Sequence, residues 1–391
     1  MIITEPKRHH SIDVFRAINM FFMIFVNDLS GVRNVPSWID HVKSYEDGMH
    51  FADTIFPLFL FIAGLSIPLA IGRRLKKGDS FTSIAIYILL RSFALIVMGF
   101  FHVNMEDYSR DALLPLGVWE FLLTLSFFLI WLDYPDSFSK IKRYILMGLG
   151  VAILIVLACL YKGGRHGHPE GLSPQWWGIL GIIGWAYLVC SLLYLIFKGN
   201  FTAMIISVVV LTGINIAVHG RLLDLRLPVI GDGNSSALMM FGVVSTSLYF
   251  KIIEKGSFKG LWATFTIAGA ALIGLGFLLR PYTEGISKIR STPAWVLICT
   301  GIGVLLFELF IWLVDVKGKQ NWFKIIKPAG TSTLTCYLIP YFMVAIFEMT
   351  GFRYPHFLNN GTGGIIRSFA VCFIVIIITG FLEKRRLRLK I

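Results

Sequence analysis

Three side chains at the start of the second apolar run could do acid–base chemistry: His41, His50 and Asp53, in "WIDHVKSYEDGMHFADTIFPLFLF" (residues 38–61). His50 stands three residues before Asp53, so the two can share a helix face. A carboxylate beside an imidazole sets its tautomer and raises its basicity. The plainer reading makes Asp53 a helix cap that accepts from the free N–H groups of the first turn. His41 sits in the preceding loop, within reach of a molecule arriving from that side of the run. Other ionisable groups fall within or at the margins of apolar runs: Asp13, Arg16, Arg91, Glu120, Glu308 and Glu348. Charges in apolar runs are costly and point to function unless they are paired. Asp13 and Arg16, at i and i+3, could simply pair with each other. Arg91, facing a bundle interior, would suit a phosphate. The second run closes on a basic cluster, Arg73, Arg74, Lys76 and Lys77.

The elements that must position these residues are membrane helices. The chain has 391 residues, 56% hydrophobic and only 15% charged, against about 25% charged in a soluble domain, and its mean hydropathy is +0.72. Apolar runs long enough to span a bilayer recur at 14–29, 51–72, 83–103, 113–132, 143–161, 174–197, 201–218, 235–253, 259–279, 293–315, 328–349 and 362–382. The sequence therefore predicts an all-α, polytopic membrane protein of about 12 transmembrane helices. Only "KGN" (198–200) separates the sixth and seventh runs. No cleavage site follows the first, which reads as a retained span. The chain reads as one transmembrane domain over 1–391, with a motif-bearing part at 8–132, variable spans at 143–218 and C-terminal helices at 235–383.

Lys and Arg favour the cytoplasmic side. With the N-terminus inside, 22 of the 36 fall in inner segments and 11 in outer ones. That bias puts both termini in the cytoplasm and residues 30–50 outside. The net charge of +13 then reflects topology and affinity for anionic lipid headgroups, and no motif points to nucleic acid. The five cysteines all lie in apolar runs without metal spacing. "GRHGHPE" places His166 and His168 together, but no further ligand supports a metal site, so no metal is expected.

Several stretches resemble the transmembrane heparan-α-glucosaminide N-acetyltransferase family. They are "SIDVFRAINMFFMIFVND" (11–28), "WIDH" (38–41), "FADTIFPLFLFIAGLSIPLA" (51–70) and "RSFALIVMGFFHVN" (91–104), with weaker likeness in "LGVWEFL" (116–122), "IWLVDVKG" (311–318) and "PAGTSTLTCYLIP" (328–340). The resemblance implies transfer of an acetyl group from cytoplasmic acetyl-CoA to an amino sugar across the membrane. It matches the catalytic histidine to His41, an essential asparagine to Asn27 and an aspartate to Asp53. The chain departs from the family pattern at Ala17, His50, Glu120-Phe121, Ser332 and Pro340. It also carries two more spans between 143 and 218, so a different acceptor or acyl group stays open.

The chemistry of acyl transfer fits this reading. A base must take the acceptor's proton, or an imidazole must carry the acyl group itself. An amide such as that of Asn27 can donate to the oxyanion. His50 and Glu120 are a second base or orienting groups. Arg91, Arg16, Asp13, Arg73 and Arg74 would surround the phosphates of acyl-CoA. Trp38 and Asn104 are placed on the substrate side. Trp176 and Trp177 could stack a sugar ring, but an interfacial aromatic belt explains them more simply. The expectation is an acyl-CoA-dependent acyltransferase of the bacterial cytoplasmic membrane. Its partners would be membrane lipids and a sugar or glycan acceptor, with a homodimer left open. The alternative is a proton-coupled transporter or flippase, which would show an inverted repeat and matched broken helices. Pro57 and Pro68 break the second run, but no matching pair is visible elsewhere.

Overall fold

The structure is a computed structural model that describes residues 10–391 except 165–167, 225, 226, 228, 255 and 257. Lys7, Arg8, Arg165, His166, Arg226 and Lys255 lie outside the described residues. The described residues form thirteen α-helices and no strand. They are α1 (His10–Leu29), α2 (Phe51–Lys76), α3 (Phe81–Asn104), α4 (Leu116–Trp131), α5 (Lys140–Leu160), α6 (Gly178–Ile196), α7 (Phe201–His219), α8 (Asn234–Glu254), α9 (Phe258–Leu279), α10 (Pro293–Phe310), α11 (Lys327–Thr331), α12 (Thr333–Thr350) and α13 (Gly361–Lys384). Helices dominate because a bilayer offers no partner to an open backbone N–H or C=O.

Each of the twelve apolar runs is helical. Ten of the described helices are long and apolar enough to cross a membrane; α4, at 16 residues, is shorter, and α1 carries Asp13, Arg16 and Asp28. The protein is an all-α polytopic membrane protein. The run 328–349 breaks at Ser332 into α11 and α12. The three residues between the sixth and seventh runs form the break between α6 and α7. Lys198 (φ 49°) and Gly199 (φ 69°) both take the left-handed region, and Asn200 caps α7 by accepting from the Ala203 N–H at 3.1 Å.

The chain condenses into two compact units, each built from three separate segments. The first comprises residues up to Val26, Pro36–Ser92 and Trp185–Lys327; the second comprises Asn27–Val35, Phe93–Gly184 and Pro328–Ile391. The core of the first unit includes Phe15, Phe61, Leu65, Phe265 and Phe307. There α2 and α8 touch backbone to backbone. A Cβ at Gly64 would collide with the Met239 carbonyl oxygen, and one at Gly242 with that of Phe61. Small residues permit such close crossings in membranes. The Thr246 hydroxyl then bonds the Leu65 carbonyl at 2.9 Å. Helix α2 is thus rigidly seated, and it carries the side chains described next.

In the second unit, α4 packs on α5, with the Trp119 indole donating to the Leu157 carbonyl at 3.2 Å. The end of α1 is tied to α13 through Asp28. Arg367 Nε and Nη2 reach Asp28 Oδ2 at 3.1 and 2.9 Å, and the Ser368 hydroxyl reaches it at 2.6 Å.

Candidate active site

The first turn of α2 fixes Asp53. Its carboxylate is almost fully buried, at 2% exposure. Oδ2 accepts from the backbone N–H groups of His50 (3.0 Å) and Val42 (3.1 Å). Oδ1 lies 2.7 Å from Nδ1 of His41. The capping task and the imidazole contact therefore fall on the same carboxylate, and the His41 loop folds back across the helix start to make this happen.

Asp53 is held at its backbone as well. Pro57, four residues on, has no N–H, so the Asp53 carbonyl loses its helical partner. The indole of buried Trp295, on α10, donates to that carbonyl at 3.1 Å. The Asp53–x3–Pro57 spacing was the visible signal for an orphaned carbonyl, but nothing in the sequence pointed to Trp295 as its partner.

His41 is the outward member of the pair, with its side chain 35% exposed. A carboxylate at 2.7 Å requires Nδ1 to carry the proton, which leaves Nε2 with its lone pair as the available base or nucleophile. His50 contributes its backbone N–H to Asp53, while its own Nδ1 is buried without a partner. So it is the His41 ring, twelve residues away, that meets the carboxylate, and not the His50 ring one turn away. Trp38 is exposed in the short 3-10 turn Ser37–Ile39, three residues from His41. Lys288, from the loop before α10, brings Nζ to 3.4 Å from His41 Nδ1. In residue order Lys288 carries no signal beyond that of a loop charge.

The last turns of α2 carry different chemistry. Arg73 and Arg74 line a cavity of about 380 Å³ together with Asp13, Arg16, Ser66 and Tyr87. Arg16 is paired to Asp13 at 3.1 Å and bonds the Ser66 hydroxyl at 2.6 Å. Arg74 pairs with Asp79 at 3.3 Å and lies over the Tyr87 ring, 4.2 Å from its centroid. Arg91 donates to the Tyr87 hydroxyl at 3.1 Å and lies over the Tyr187 ring at 5.0 Å. Its Nε is buried without a partner, and no carboxylate pairs with it among the described residues. Tyr87 thus links Arg74 and Arg91, and the five residues expected around phosphates gather about one tyrosine and one cavity. Cations short of carboxylates in such a setting favour an anionic guest.

The other expected residues belong to the second unit. Asn27 lies in the last turn of α1, exposed, and its carbonyl accepts from the Ser30 hydroxyl. Asn104 is fully buried, and its amide is committed: it donates to the Phe100 and Ser173 carbonyls at 2.7 and 2.9 Å and accepts from the Ser173 N–H at 3.0 Å. That pattern describes a loop anchor. Glu120 is buried in α4, close enough to Glu348 for their charges to interact. His102 stacks on Tyr341 at 4.1 Å with both ring nitrogens buried and unpartnered. Trp176 donates to Glu106 at 3.2 Å. Among the described residues no group of three or more His, Cys, Asp and Glu is arranged to hold a metal.

No family model matches the chain. Among curated proteins it is similar to heparan-alpha-glucosaminide N-acetyltransferase of Mus musculus, with 34% identity over 144 residues covering 34% of this chain and 21% of the mouse protein. It is also similar to the Homo sapiens protein of the same name, 38% identical over 99 residues, covering 25% of this chain and 14% of the human protein. The alignments thus span about a fifth or less of those relatives' length, and the chain resembles the heparan-α-glucosaminide N-acetyltransferases over about a third of its own.

Proposed function

We propose that this protein is a membrane acyltransferase that moves an acetyl or related acyl group from acyl-CoA on the cytoplasmic side to an amino sugar or glycan on the outer side. One observation carries the reading: α2 presents an imidazole–carboxylate dyad at its first turn and an arginine-lined cavity at its last. Twenty residues separate Asp53 from Arg73, about 30 Å at 1.5 Å per residue, which matches the hydrocarbon core of a bilayer. The excess of Lys and Arg in alternate loops supports the cavity end as cytoplasmic. The resemblance to enzymes named as N-acetyltransferases supports the chemistry.

In this reading the cavity takes the phosphates of acyl-CoA, with Arg16, Arg73 and Arg74 at its wall and Arg91 behind Tyr87. At the other end, His41 Nε2 takes the proton of the acceptor amine as its nitrogen attacks the thioester carbonyl. The C–N bond forms, the C–S bond breaks, and the proton passes to the departing thiolate. Asp53 holds the Nδ1–H tautomer and stabilises the imidazolium in between. An acyl-imidazole at the same Nε2 would serve as an intermediate if the transfer occurs in two steps. The resemblance assigns Asn27 an amide donor role.

The test is acyl-CoA binding and turnover by the purified protein with a panel of amino sugars. Arg91→Leu should weaken CoA binding in a folded protein, because it removes a cation that has no carboxylate partner. A wild-type protein that binds no CoA sinks the acyltransferase reading. Unchanged affinity in folded Arg91→Leu removes Arg91 from the donor site.

A further inference from the structure

His41 has a second charged neighbour besides Asp53. Lys288 Nζ lies 3.4 Å from His41 Nδ1, although 247 residues separate the two in the chain. The contact is not a hydrogen bond in the resting state. Nδ1 gives its proton to Asp53 at 2.7 Å, and an ammonium has only donors. Two donors facing each other are held there by the folds of their own loops. The Lys288 loop is firmly built: the Ser287 N–H donates to the Thr292 hydroxyl at 2.9 Å, and the Ile286 N–H donates to Asp47 at 2.7 Å.

Among the described residues, the charged groups that contact His41 are Asp53 on α2, Asp40 in its own loop (its Oδ1 accepting the His41 N–H at 2.7 Å) and Lys288 from the loop before α10, and Cys299 on α10 interacts with Lys288. His50, at the start of α2, reaches Asp53 through its backbone. Arg280, bound to Asp47 at 2.9 Å, and Arg290 lie on the same loop connection. A carboxylate beside an imidazole favours its charged form, and a general base that is already protonated cannot accept a proton.

We infer that Lys288 is a positioning residue that opposes Asp53 and keeps His41 neutral, so that Nε2 is free to act as a base at physiological pH. Its positive charge raises the cost of the imidazolium, while Asp53 preserves the tautomer. The arrangement also speeds return of the proton from His41 to the leaving group. Burial pulls the Lys288 ammonium below its ordinary range, and the charge of Asp53 acts to retain it. The inference builds on the acyltransferase reading, but the coupling it claims can be measured without it.

The experiment follows the rate at which diethyl pyrocarbonate modifies His41 against pH, read by mass spectrometry of the His41 peptide, since only neutral imidazole reacts. In Lys288→Gln the midpoint should rise by about 1 pH unit or more. In Lys288→Arg, which keeps the charge, it should stay within about 0.3 unit of wild type. Lys288→Met gives the same reading if Gln is not tolerated. The acid limb of the turnover profile should move with it. An unmoved midpoint on loss of the charge, or an Arg variant that shifts as far as the Gln variant, overturns the inference. A shifted midpoint in a protein without acyl transfer leaves the coupling intact and removes only the proposed function.

Discussion

Asp28, half-buried, and Asp53, almost fully buried, are two carboxylates with contrasting partners. Asp28 meets a guanidinium and a hydroxyl: Arg367 holds it through Nε and Nη2, Ser368 through its hydroxyl, and Arg367 also bonds the Asp28 carbonyl and the Asn359 amide. The Arg367 guanidinium lies over the Tyr354 ring as well. Its charge is closed off, so this cluster stabilises. Asp53 meets two backbone N–H groups and one imidazole, and that imidazole still has a free nitrogen facing outward. What sets the proposed active site apart is the group left unsatisfied at its edge. A buried charge by itself marks cost, and its partners decide between structure and chemistry.

Substitutions can sharpen or break this contrast. The largest effect should come from His41→Ala: acyl transfer should fall by about 10²–10⁴-fold, with melting of the detergent-solubilised protein and CoA binding little changed. If turnover survives there but is lost in His50→Ala, the base is the neighbouring histidine and the comparison must be redrawn. Arg367→Met should do the reverse. It leaves the half-buried Asp28 with the Ser368 hydroxyl but without its guanidinium and should lower stability by about 3 kcal/mol, while an Asp28→Leu/Arg367→Met double variant should recover much of the loss. A thermal denaturation series reads both.

A smaller effect tests the backbone hold on Asp53. Trp295→Phe removes the indole N–H and should cost about 1–3 kcal/mol by orphaning the Asp53 carbonyl. Adding Pro57→Ala restores a helical N–H to the same carbonyl and should cancel most of that cost. Additive losses in this double-mutant cycle would show that the indole contact carries no such load.

The smallest effect concerns pH. Burial pushes the Asp47 carboxyl up, but the Ile286 N–H and the Arg280 guanidinium outweigh it and hold Asp47 below its ordinary value of 3.8. A carboxyl depressed in the folded state stabilises fully above the unfolded value. That contribution is lost as pH falls through the lower folded value. Asp47→Asn should therefore lower the melting temperature slightly near neutral pH and narrow its gap from wild type below about pH 4. Because Asp47 is half-exposed, the difference should be small and shrink in high salt. A gap that widens on acidification contradicts this sign.

Much of the scaffold was legible from residue order. Apolar runs of spanning length become helices because the backbone in lipid has no other partner, and the three-residue break at Lys198–Asn200 follows from a glycine and a capping amide. The basic run at 73 and 74 and the Asp13–Arg16 pair could each be read because helical spacing is local, whereas their meeting at one cavity joins two helices. The division of the chain into two units could not be read, since each collects segments from both ends of the sequence. Nor could the commitment of Asn104 to Ser173, which depends on a loop 69 residues away.

Residue order sets the helices, the charges they carry and the presence of two histidines near one aspartate. Spacing along a helix favours His50 as the partner of Asp53, and the resemblance favours His41. Only the tertiary structure placed the His41 ring on the carboxylate, Trp295 on its carbonyl and Lys288 beside the imidazole. Those contacts join residues 12, 242 and 247 positions apart. Periodicity governs neighbours within a turn or two, whereas such meetings depend on how loops close and helices pack.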